Sequence, residues 1–165
     1  MKVAAALVAV GLVSGSAYAA EPPALARARS LYNLADYDGA IAAATMARTQ
    51  PAAADAAALV EARAYLERYR RTGDQTDLDA ARQALTAVRA TVLSARDQVD
   101  FLVGAGQSLY LTDMYGPAAE LFDTALERGA LLSARDRVML LDWWATAASH
   151  AVSRSPASRA ATASQ

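Results

Sequence analysis

From Glu21 onward, apolar residues fall in runs long enough for helices, separated by short polar, Pro- or Gly-containing breaks. The runs predict seven helices: Ala24–Leu34, Tyr37–Thr49, Ala53–Thr72, Asp77–Val92, Ala95–Leu111, Pro117–Arg128 and Ala134–Val152. The breaks fit this reading. "ADYDG" ends the first helix, Pro51 stops the second, Gly73 the third and Gly129 the sixth. Pro117 stands in a first turn, where its missing N–H costs nothing.

Helix starts repeat. "SARD" occurs at Ser94–Asp97 and again, 39 residues on, at Ser133–Asp136. A Ser followed three residues later by a carboxylate, just before an apolar run, is a capping box. The Ser oxygen takes a first-turn N–H, and the Asp favours the positive helix end. "TDLD" at Thr76–Asp79 is expected to do the same. Short connections between helices imply antiparallel neighbours, hence three helical hairpins and one extra helix.

The third hairpin is the most regular. In Leu102–Ala125, "LVGAGQSLYLTDMYGPAAELFDTA", the residues Leu102, Ala105, Gly106, Leu109, Tyr115, Ala118, Phe122 and Ala125 follow the pattern of a tetratricopeptide repeat, and the stretch resembles that family. Asp113 takes the place of the turn glycine. The first hairpin matches through Ala28, Tyr37, Ala40 and Ala47, with Ala44 where a large aromatic is usual, and the middle one through Ala62 and Ala81. The resemblance implies an all-α fold: a short right-handed superhelical array of about three such hairpins, closed by a C-terminal capping helix. It sets Gly106 opposite Ala118 and lets Phe122 fill the space between units.

Sliding the seventh helix onto the fifth by 39 residues pairs Val138 with Val99, Leu141 with Leu102, Trp144 with Ala105 and Ala145 with Gly106. The seventh helix therefore reads as the first half of a fourth unit without its second half. Trp143 and Trp144 read as residues that cap the array's end.

The resemblance also implies a function. Tetratricopeptide arrays hold peptides or other proteins against the first helix of each hairpin. That face would carry Arg29, Tyr32 and Asn33, then Arg63 and Leu66, then Asp100, Val103, Gln107 and Tyr110. Tyr32 and Tyr110 occupy the same place in their units. The pattern suits them equally as groove residues and as core residues with wet hydroxyls.

Composition narrows the alternatives. The net charge is −1, without a basic surplus for phosphate, which argues against nucleic acid. The chain has no cysteine, so disulfides, thiol catalysis and thiolate metal sites are excluded. The single histidine, His150, reads as a partner for the negative end of the last helix. "GAG" at Gly104–Gly106 lies inside a helix and is no phosphate loop. Asp74, Asp77 and Asp79 read as capping residues, and Arg68, Arg70 and Arg71 as a solvated helix end. No cofactor and no enzymatic activity are expected. The function classes left are a scaffold for a protein or peptide partner, a self-associating envelope protein (a homo-oligomer), and an unrecognised helical enzyme.

The first 19 residues form a separate segment. Lys2, the apolar run Val3–Val13, the break Ser14-Gly15-Ser16 and the small-x-small "AYA" read as a bacterial secretory signal peptide cleaved after Ala19. That run is shorter than the roughly 20 residues a membrane-spanning helix needs. The domain is expected over residues 20–153, with a disordered tail at 154–165, and the protein in the periplasm or outside the cell. Mass spectrometry of protein from an exporting host should find an N-terminus at Ala20 or Glu21; an intact Met1 in the membrane fraction overturns the assignment.

Overall fold

A computed structural model describes residues 21–153; the segments read as a signal peptide and a tail lie outside the described residues. The described residues are helical, without a strand. α1 spans Pro23–Asn33, α2 Tyr37–Arg48, α3 Ala54–Thr72, α4 Gln75–Ala87, α5 Ala95–Tyr110, α6 Tyr115–Glu127 and α7 Ala134–Ser153. Single 3-10 turns at Ala90–Val92 and Gly129–Leu131 precede α5 and α7. Each helix packs on the next, and the first helices also touch in series: α1 on α3, α3 on α5, α5 on α7. This is a stack of helical hairpins.

Small residues make the close contacts. Ala28, Ala40, Ala62, Ala81 and Ala118 are completely buried, as is Phe122. Gly106 is buried in α5 with the Phe122 ring of α6 against it. A Cβ there would lie 2.5 Å from Cε1 of Phe122, so the glycine makes room for the Phe122 ring. Leu66, expected on the groove face, is fully buried with Leu78 and Ala81 between α3 and α4.

Both "SARD" motifs cap. The Ser94 and Ser133 hydroxyl oxygens accept the N–H groups of Asp97 and Asp136, each at 3.1 Å. The Asp97 carboxylate accepts the Ser94 hydroxyl at 2.8 Å instead of reaching a backbone N–H, because Asp is shorter than the usual Glu. "TDLD" does not cap. Asp74 is the cap of α4, its carboxylate accepting both the N–H and the hydroxyl of Thr76, and the helix starts earlier than expected. α4 also ends at Ala87, after which the chain extends before the 3-10 turn. α6 starts at Tyr115, which places Pro117 in its third position, still among the N–H groups that lack an intrahelical partner.

Gly73 ends α3 in the left-handed region at φ 72°, as a terminating glycine should. Gly129 plays another part: it opens a 3-10 turn, and the Arg137 guanidinium packs on it and donates to its carbonyl at 2.6 Å. The two turns that match the tetratricopeptide pattern have left-handed residues without being glycine, Ala35 at φ 61° and Asp113 at φ 63°. Each sits two residues before the tyrosine that starts the next helix, Tyr37 or Tyr115, so the first and third hairpins turn alike.

Gly106→Leu must displace the Phe122 ring and should destabilise the fold by about 1–3 kcal/mol or more. Phe122→Ala in the same chain should recover part of that loss. Denaturant midpoints of the two single variants and the double variant check this, and strict additivity would reject the Gly106–Phe122 contact.

Candidate functional site

The first helices enclose a recess of about 230 Å³, lined by Arg29, Tyr32 and Asn33 of α1, Leu59, Val60 and Arg63 of α3, Arg96 and Asp100 of α5, and Asp136 of α7. A smaller cavity of about 30 Å³ adjoins it, sharing Tyr32, Arg63, Asp100 and Asp136 and adding Glu67, Val103, Gln107, Leu140 and Trp143. Hairpin stacking builds it, because each first helix adds side chains one layer further along.

Three arginines reach this surface and all are paired. Arg29 reaches past α3 to grip Asp97 with two hydrogen bonds, 2.8 and 3.1 Å, and also donates to Glu21 at 2.7 Å. Arg63 pairs with Asp100 at 3.0 Å and lays its guanidinium over the Tyr32 ring, 4.8 Å from the ring centre. Arg96 joins Asp136 at 3.0 Å and donates to the Leu131 carbonyl at 2.7 Å. Asp97 and Asp100 are buried, so these arginines offset what would otherwise be costly charges. The recess is therefore close to neutral.

Two buried polar atoms in and beside its wall lack a partner: the Nε of Arg63, a donor, and Oε1 of Gln107, an acceptor. Gln107 is 4% exposed. Tyr32 is half-buried, and Asn33 stands exposed at the rim. No family model, curated protein or solved structure matches the chain. Among the described residues, no group of three or more His, Asp or Glu could hold a metal ion, and no helix is long and apolar enough to cross a membrane.

The structure thus brings Arg29, Tyr32, Asn33, Arg63 and Gln107 together, with Asp100 and Val103. It does not bring Tyr110 to them. Tyr110 sits in an aromatic cluster at the far end of α5, edge-on to Trp143 at 4.9 Å and to Tyr115 at 5.1 Å. His150, in the last turn of α7, stacks on Tyr115 at 4.6 Å. Trp143 also packs on Phe122 and lies under the Arg70 guanidinium, 4.9 Å away, and both Trp143 and Trp144 pack against the apolar cluster of the third hairpin. The basic cluster at the end of α3 is more than a solvated helix end. Arg68 holds Asp77 at 2.8 and 2.6 Å, and Arg71 covers the Tyr37 ring at 4.3 Å.

Arg96 and Asp136 were not expected in the recess. A clue stood in the sequence, because the Arg of the first "SARD" meets the Asp of the second. Spacing alone does not show that two capping motifs lie side by side.

Burial holds the Tyr32 hydroxyl above the usual phenol range and outweighs the opposing pull of Arg63. Burial works to raise Asp136, but Ser133 and Arg96 outweigh it and hold this carboxyl below the usual range. Hydrogen bonds from Arg89 do the same for Asp55. A depressed carboxyl adds stability that is present above its unfolded value and lost as pH falls through its folded value. A raised phenol adds stability that is lost as pH climbs. Thermal stability should therefore drop below about pH 4 and again above about pH 10. Asp136→Asn should flatten the acid limb and Tyr32→Phe the alkaline limb in melts across pH.

Proposed function

We propose that this chain is an exported scaffold, related to tetratricopeptide arrays, that holds an extended polypeptide segment in the recess between its first helices. The observation that carries the reading is a recess whose arginines are already neutralised, with the buried Arg63 Nε and Gln107 Oε1 left unpaired in and beside its wall, to be met by a ligand that displaces their neighbours. A peptide main chain offers a carbonyl to the first atom and an N–H to the second. A free anion would compete with Asp97, Asp100 and Asp136 for every cation. The arrangement thus favours main-chain amides over acidic groups. The Tyr32 ring, held by Arg63, adds a flat apolar wall for side chains of the bound segment.

Gln107→Leu separates binding from folding. It removes a buried acceptor that lacks a partner, so stability should stay level or rise by about 1 kcal/mol. Binding of a polypeptide isolated from the host envelope should weaken about tenfold, the loss of one buried hydrogen bond. Asn33→Ala at the rim should weaken it less. Equal binding by the folded variants and the parent, measured by calorimetry, overturns the recess as the binding site.

A further inference from the structure

We infer that α7 is the seam of a two-fold dimer, packing antiparallel on α7 of a second copy. The inference is independent of the peptide recess. It begins from a stripe on the outer face of α7: Val138, Leu141, Ala145, Ala148 and Val152. Val138 is 67% exposed, Leu141 45% and Val152 69%. Isolated exposed apolar residues are ordinary, but a stripe along one helix face is not.

The repeat register says what kind of partner fits. Shifted by 39 residues, Val138 falls on Val99 and Ala145 on Gly106. On α5 that face is covered by an antiparallel helix: Val99 is fully buried, and Phe122 of α6 lies against Gly106. α7 thus presents the face of a first helix without its second helix. Its stripe is spaced 3-4-3-4, the seam spacing of two packed helices.

The spacing also selects the occupant. Residues 154–165 contain no Leu, Ile, Val, Met or aromatic side chain, so they bring nothing comparable to Leu121 or Phe122. A second α7 brings the matching stripe. Val138 and Val152 are equidistant from Ala145, and Leu141 and Ala148 are nearly so. A two-fold axis at Ala145 sets each Val138 on Val152 of the other copy, with the small residue at the closest approach. It also makes the helices antiparallel, as within a hairpin. The two Asp142 side chains are then offset by about 9 Å along the seam, so like charges do not meet. An isologous contact of this kind closes on itself.

The absence of cysteine makes the test clean. Ala145→Cys adds one thiol at the proposed axis, and an added oxidant should link most of the protein into covalent dimers. Ala26→Cys, exposed on α1, should stay mostly unlinked under the same treatment. By sedimentation, the parent should be dimeric at about 100 μM, and Val138→Glu with Leu141→Glu should weaken the dimer at least tenfold with helicity unchanged. A monomeric parent at that concentration, or a dimer indifferent to both glutamates, overturns the seam. So does a parent that dimerises only once residues 154–165 are removed, since the tail would then be the cover. Gln107→Leu should leave the dimer intact, so failure of the peptide site and failure of the seam can be told apart.

Discussion

Close approach of paired helices is the constraint on which this structure depends. Two helices come within backbone reach only where their facing side chains are nearly absent, and here alanines and one glycine supply those places. The cost is a core poor in large groups. Phe122, Leu59, Leu66, Leu78 and Val99 are the largest side chains that are almost wholly buried, and the apolar contacts divide into several clusters rather than one. Hydrophobic stabilisation scales with buried apolar area, so each hairpin depends on its neighbours to finish its burial.

Ion pairs set how the neighbours stack. Asp77, Asp97, Asp100 and Glu61 are buried, and each meets an arginine from another helix: Arg68, Arg29, Arg63 and Arg48. Such pairs add little net stability compared with apolar packing, but removing one partner leaves an uncompensated charge. They therefore penalise any other register between units. Arg29 illustrates the point, because it joins α1 to the start of α5 across the intervening α3. The same pairing neutralises the recess and leaves uncharged donors and acceptors as its distinguishing chemistry.

The two ends of the third hairpin are finished differently. Its inner side is closed by Trp143 of α7, backed by Phe122 and Tyr110. The outer side of α7 has no such cover among the described residues, and its exposed valines and leucine follow the register of a face that is buried on α5. One helix thus serves as a lid toward the array and as an open edge away from it. Recess and edge lie on separate surfaces, so a bound polypeptide and a second copy need not exclude one another.

The sequence by itself determined the helices, the hairpin order and the packing positions. These depend on short-range rules: apolar spacing, capping serines, Gly73, and small residues at Ala28, Ala40, Ala62, Ala81, Gly106 and Ala118. It also supplied most of the recess, through Arg29, Tyr32, Asn33, Arg63 and Gln107. Only the tertiary structure decided which residues face which. It moved Leu66 into the core and Tyr110 into an aromatic cluster, gave α4 its cap at Asp74, and brought Arg96 and Asp136 together. The physical reason is that a few degrees of rotation between stacked helices select the neighbour of a long side chain. Arginine reaches far enough to choose among carboxylates on several helices, and local sequence does not encode that choice.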